Sequence, residues 1–268
     1  MTLVDRLLAA ALAAGLAAAT AFTPAQAQDA ASSRLDKILE SGVVRVGTTG
    51  DFPPISARDT ATQSYVGHDI DAANELAKDL GVKVEFVPAD WKTLINGITA
   101  DKYDVVMSGV SLSIDRAKVA GFTQPYLEFG TVPVTKKENA ERFKSWADID
   151  KQDVTVGTTL GTVFDAQAKD YFKTATLKQV EAPALGFQEV LSGRADVTIT
   201  SNVDAAALVQ RYPELMIVPV EEARSKRPAS FMIAQDDQIW LNYLNNWITV
   251  KKMQGFFDQL DQKWLQAK

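Results

Sequence analysis

The sequence predicts an α/β protein of two similar lobes with a cleft between them. Three observations carry this. A strand–helix–strand–helix–strand succession runs from residue 43 to 108 and recurs from 154 to 200. Parallel strands need a helical crossover to bring the chain back, so each run implies a sheet flanked by helices. The stretch from 239 to 265 reads as helix alone, which sets it apart from both runs.

In order, Arg34–Glu40 is a short helix, Val43–Gly47 a strand and Thr48–Pro54 a turn-rich loop. Ile70, Ala73, Leu76, Ala77 and Leu80 form one helical stripe, and Gly81 stops it. Val82–Val87 alternates as a strand, Trp91–Ala100 is a helix, and Tyr103–Ser108 is an apolar strand. A second unit opens near Thr131, with strands at Val154–Gly157, Leu177–Val180, Ala195–Thr200 and Met216–Val220. Its helices are Phe164–Phe172, Gly186–Leu191 and Val203–Gln210. Phe231–Ala234 is a further strand, before helices Ile239–Val250 and Met253–Leu265. Trp240, Trp247 and Trp264 fall at helical spacing and read as core packing. The expected boundaries are 34–129 with 227–268 for lobe one and 130–226 for lobe two.

The 268 residues are 46% hydrophobic and 23% charged, ordinary globular values. Leu7–Ala19 is an apolar run behind Arg6 and ends in Ala25-Gln-Ala27, a peptidase-type cleavage pattern. Residues 1–27 are therefore expected to be a signal peptide, with no membrane insertion once it is removed and with the mature chain a monomer. There are no cysteines, which excludes disulfides, thiolate metal sites and cysteine nucleophiles. A net charge of −6 without a basic cluster argues against nucleic acid.

The most informative segment is Ser108-Gly-Val-Ser111-Leu-Ser-Ile-Asp-Arg116. Hydroxyls and one arginine just past a buried strand suit a carboxylate, because guanidinium binds it as a permanently charged fork. Ligands of open α/β sheets bind beyond the carboxyl ends of strands, where this loop and Thr158–Thr162 both lie.

Several motifs then act together: Val43-Val-Arg-Val-Gly-Thr-Thr-Gly-Asp-Phe-Pro-Pro, Gly67-His-Asp-Ile-Asp71, Tyr103-Asp-Val-Val-Met-Ser-Gly, Asp115-Arg116 with Phe122-Thr-Gln-Pro-Tyr126, and Gly193-Arg-Ala-Asp196. As a set they resemble the family 3 (polar amino-acid) solute-binding proteins, and within them the cyclohexadienyl (prephenate/arogenate) dehydratase branch. The resemblance implies a type II two-lobed periplasmic binding protein. Its lobes are mixed sheets flanked by helices. It would hand a small carboxylate ligand to an inner-membrane ABC permease and use no cofactor and no metal. It also implies roles. Arg116 clamps the carboxylate and Ser111 lies beside it. Ser108 and Gly109 belong to the facing segment. Thr162 closes from the second lobe, Phe52 matches the aromatic wall, and Phe52 with Trp91 permits an aromatic or cyclic ligand body. Ser201 stands where amino-acid binders present an aspartate to the ammonium, with Asp204 or Glu128 as substitutes. If the chain is a dehydratase, the general acid falls at Phe164 or Asp165, and Asp165 is the candidate catalytic residue.

His68 is the single histidine and reads as surface or structural. No G-x-S-x-G or dinucleotide fingerprint occurs. Asp69-x-Asp71 and Asp236-Asp237 lack a loop of oxygen ligands and read as solvated or capping carboxylates. Arg224-Ser-Lys-Arg227 reads as a solvated face. The alternatives there are a role in closure or a second anionic contact.

Overall fold

A computed structural model describes residues 33–59 and 61–265; the expected signal peptide lies outside them. Helix α1 (Arg34–Ser41) begins at a reciprocal cap. Ser33 Oγ accepts from the Leu35 amide, and Asp36 accepts from the Ser33 amide at 3.2 Å. Gly42 ends it at φ 68°, a left-handed turn that a side chain would resist. The chain continues through β1 (Val43–Thr48), β2 (Asp51–Phe52), β3 (Ser56–Arg58), β4 (Tyr65–Val66), α2 (His68–Leu80) and β5 (Lys83–Pro88). It goes on to α3 (Leu94–Thr99), β6 (Val105–Val106), α4 (Ile114–Ala117) and β7 (Gly121–Phe122). Gly81 closes α2 as the sequence implies.

Ten-residue β8 (Leu127–Lys136) carries the chain into a second sheet. There follow β9 (Thr155–Thr159), α5 (Val163–Tyr171), β10 (Thr176–Val180), α6 (Gly186–Leu191), β11 (Val197–Ser201), α7 (Asn202–Arg211) and β12 (Leu215–Ile217). Strand β13 (Arg224–Ala229) returns beside β8, and β14 (Met232–Ile233), α8 (Gln238–Met253) and α9 (Phe256–Trp264) finish the chain.

Two main sheets result. One has the order β5-β1-β6-β14-β7. The other has the order β10-β9-β11-β8-β12, with β13 paired to β8. No strand is common to both. A small sheet, β2-β3-β4, folds the loop after β1 into a lip. The succession of helices and strands suggests parallel pairing, and β1 pairs parallel to β5 and β6, as β9 does to β10 and β11. The remaining pairs, β14 on β6 and β7 and β8 on β11, β12 and β13, are antiparallel. Both sheets are therefore mixed. Strands reached by direct crossing between lobes need no helical return and pair either way.

Each lobe buries its own apolar cluster. Val44, Val46, Leu76, Phe231, Trp240 and Trp247 pack around the first sheet; Phe143, Val156, Val197 and Ile199 around the second. Trp240 is buried and donates from Nε1 to the Asp104 carbonyl at 3.0 Å. Trp264 packs against the same cluster.

Two readings of the sequence need correcting. The helix expected from Trp91 begins only at Leu94. Asp90 accepts from the Lys92 and Thr93 amides and the Thr93 hydroxyl, closing a turn that competes with helix. The charged run Arg224–Arg227 lies on strand β13; Ser225 and Lys226 are exposed as a solvated face would be, but Arg227 is only 8% exposed. Among the described residues, no helix is long and apolar enough to cross a membrane.

Candidate functional site

The cavity lies where the carboxyl ends of β1 and β6 meet the loops after β9 and β11. From the first sheet's side it is lined by Asp51, Phe52, Trp91, Gly109, Ser111 and Arg116. From the second it is lined by Thr159, Thr162, Phe164, Phe187, Thr200 and Asp204, with further apolar groups at Leu185, Ile199 and Leu208.

Its aromatic wall is held by edge-to-face contacts. The Phe52 ring meets Trp91 at 5.9 Å and Phe129 at 5.8 Å, both close to perpendicular. Trp91 Nε1 donates to Asp51 Oδ1 at 2.9 Å, so the indole and the carboxyl fix each other. Gly109 sits at φ 64°, and a Cβ there would lie 2.8 Å from the Phe52 ring. Any side chain would therefore push the wall out of place. The resemblance has the Gly109 backbone facing the ligand, but its N–H donates to buried Asp69 Oδ2 at 2.7 Å. Asp69 also accepts from the Tyr126 hydroxyl at 2.6 Å. His68, fully buried, places Nδ1 3.1 Å from Asp69 and Nε2 3.1 Å from Asp261. Burial opposes its charge, yet the two carboxylates outweigh that and raise it to about 9. His68 is thus structural: it ties the loop carrying Gly109 to α9.

Arg116 rises from α4, whose first turn is capped by Ser113 Oγ. Its Nη1 donates to the Ser111 carbonyl at 3.1 Å, and Nη2 reaches the Gly161 carbonyl of the second lobe at 3.0 Å. Among the described residues it makes no ion pair. Desolvation alone lowers its guanidinium to about 10.

From the second lobe, Thr162 caps α5. Its hydroxyl accepts from the Asp165 amide at 3.2 Å and donates to the Thr159 carbonyl at 2.7 Å. It thus brings the positive end of a nine-residue helix to the cavity. Asp204 lies in the first turn of α7 and is 7% exposed. Its Oδ2 accepts from Thr200 Oγ1 at 2.6 Å, and among the described residues it has no cationic partner. Burial pushes its carboxyl up to about 7, and the charge of Asp51 adds to the rise. Burial likewise raises Asp51.

The sequence-derived residues therefore divide. Phe52, Trp91, Gly109, Ser111, Arg116 and Thr162 share one cavity. Ser108 does not line it; its hydroxyl is fully buried in a knot with Thr49 and Ser56. Ser201 does not line it either, because its hydroxyl accepts from the Asp204 amide to start α7. Asp165 is also outside the lining. Lys169, Gln179 and Thr158 all donate to its carboxylate. Although burial opposes them, they hold it below the usual range. A carboxylate in that state is a poor proton donor. The acids that line the cavity are Asp204, three residues past Ser201, and Asp51. Asp51 was visible only as a polar residue of a turn-rich loop.

Residues 44–267 match the bacterial extracellular solute-binding proteins, family 3. The chain belongs to that family. Among its relatives, a cyclohexadienyl dehydratase of Pseudomonas aeruginosa is 33% identical over 241 residues, covering 90% of this chain and 88% of the relative. The L-cystine-binding protein TcyJ of Escherichia coli is 26% identical over 233 residues, with 87% and 86% covered. The crystal structure of an ancestral amino acid-binding protein, described as a precursor of cyclohexadienyl dehydratase, superimposes with a TM-score of 0.82 at 39% identity. It covers 87% of this chain and 100% of its own. The two-lobed type II architecture and the extracellular solute-binding class thus stand on sequence and structure together.

Proposed function

We propose that this family 3 protein traps a small carboxylate-bearing solute, an amino acid or related organic acid, and presents it to an inner-membrane ABC permease. Export to the periplasm and a monomeric mature chain go with that reading. The observation that carries it is Arg116. A guanidinium bonded only to carbonyls, desolvated between two lobes, is completed by an anion. Gly161, which it touches across the cleft, would make ligand binding and closure one event.

The test is calorimetry after a thermal-shift screen of amino acids, keto acids and aromatic acids. Removing one partner of a desolvated charge pair costs about 2–5 kcal/mol of affinity. Arg116→Ala and Arg116→Lys are both expected to weaken binding strongly, because lysine cannot supply the fork. An unchanged Kd in either variant shows that the carboxylate docks elsewhere.

Asp204 favours a second reading, a cyclohexadienyl dehydratase. Loss of a ring hydroxyl as CO₂ departs needs a proton donor at that hydroxyl, and a carboxyl still protonated near neutrality is one. Incubation with prephenate, followed by phenylpyruvate absorbance, separates the readings. The binding reading expects no turnover. Turnover that Asp204→Asn abolishes and Asp165→Asn spares would establish the enzyme.

A further inference from the structure

We propose that Arg227 is a second anion anchor of this cleft and that the ligand carries two acidic groups. The inference rests on the reading of the cavity as a carboxylate trap and specifies the class of carboxylate.

Arg227 stands on β13, where the two crossing strands run side by side, and is paired in register with Phe129 of β8. It is more than nine-tenths buried. Nε donates to Ser111 Oγ at 2.9 Å, and Nη1 donates to Thr131 Oγ1 at 2.6 Å and to the Ser225 carbonyl at 3.1 Å. Nη2 is buried and has no hydrogen-bond partner among the described residues. The guanidinium carbon lies 4.7 Å from the centre of the Phe164 ring. Two of its neighbours, Ser111 and Phe164, are walls of the cavity.

Three points turn this into a statement about the ligand. First, no carboxylate among the described residues pairs with Arg227, although a buried cation is normally paired. Second, Arg116 and Arg227 grip the same residue, one on the Ser111 carbonyl and the other on its hydroxyl. Two unpaired guanidiniums that close repel each other. Burial and the charge of Arg116 together lower Arg227 to about 10. Third, a buried donor without a partner is destabilising, so an arrangement that strands Nη2 on a residue packed behind the Ser111 and Phe164 walls, though not itself in the lining, is completed by an acceptor from outside the chain. One carboxylate takes the Arg116 fork; a second, close by on the same ligand, neutralises Arg227. The position at the crossing strands means that this second contact also draws the lobes together.

The experiment is titration calorimetry with matched probes: phthalate against benzoate, and glutarate against butanoate. In the wild type each diacid is expected to bind at least tenfold more tightly than its monoacid. Arg227→Met keeps the stem against Phe164 and should abolish that preference while leaving monoacid affinity within about twofold. Ser111→Ala keeps the charge but removes the hydroxyl that aims it, and should reduce the preference, so the test survives if Arg227→Met does not fold. Equal wild-type affinity for diacid and monoacid overturns the proposal, as does a preference that both variants retain. If both acids bind equally and Arg116→Ala loses both, Arg227 alone is refuted. If no probe responds to Arg116→Ala, the carboxylate reading fails and this proposal fails with it.

Discussion

At the scale of single residues, the cavity's electrostatics are set by burial rather than by pairing. Asp204 illustrates the sign. Its carboxyl ionises near 3.8 when unfolded and near 7 in the folded protein. Between those values the folded state holds the extra proton, so stability of the empty protein falls as pH rises through that window. Each pKa unit corresponds to 1.36 kcal/mol, which bounds the effect at about 4 kcal/mol. Asp204→Asn should flatten this slope. Tm of wild type and variant from pH 4 to 8 checks it; parallel curves would show that Asp204 ionises normally in the fold.

At the scale of elements, the wall depends on how α3 seats on Tyr103. Gly97 lies inside that helix, where alanine ordinarily gains about 1 kcal/mol. A Cβ at Gly97 would lie 2.0 Å from the Tyr103 hydroxyl, which itself donates to the Leu94 carbonyl at 2.6 Å. Overpacking of this kind costs about 1–3 kcal/mol and outweighs the propensity gain. Gly97→Ala is therefore expected to lower stability in urea denaturation. It should also disturb Trp91, just before the helix, visible as altered tryptophan emission on ligand addition. A more stable Gly97→Ala protein would show that Tyr103 moves aside freely.

At the scale of the molecule, the structure is a closed cleft. Gly161, at φ 82° in the second lobe's loop, would place a Cβ 2.6 Å from the backbone of Lys92 in the first lobe. Lys92 Nζ also bonds Glu181 across the same gap at 2.7 Å, an exposed pair worth little by itself. Gly161→Ala should hold the lobes apart. Ligand affinity should fall at least tenfold, and small-angle scattering should show no compaction on ligand addition. Normal affinity with normal compaction would place the closing contact elsewhere.

The sequence by itself determined the two-lobed α/β order, the helix stop at Gly81, the helical tryptophans of the core, and six residues of the cavity wall, among them Phe52, Ser111 and Arg116. Those features are local: periodicity, turn chemistry, and residues clustered in one strand-end loop. Phe52, Ser111 and Arg116 were legible because each lies in a short motif with its own chemical sense. Only the tertiary structure decided which hydroxyls and carboxyls meet solvent in the cleft. Ser108 and Ser201 have the right chemistry, but their hydroxyls close a buried knot and a helix cap. Asp165 faces Lys169, whereas Asp204, in the first turn of α7, faces the cavity. Arg227 looked solvated in a run of charges, yet pairing of β13 with β8 buries it beside Ser111, 116 positions away in sequence. Exposure and partners depend on contacts between distant segments, and local pattern carries no record of those contacts.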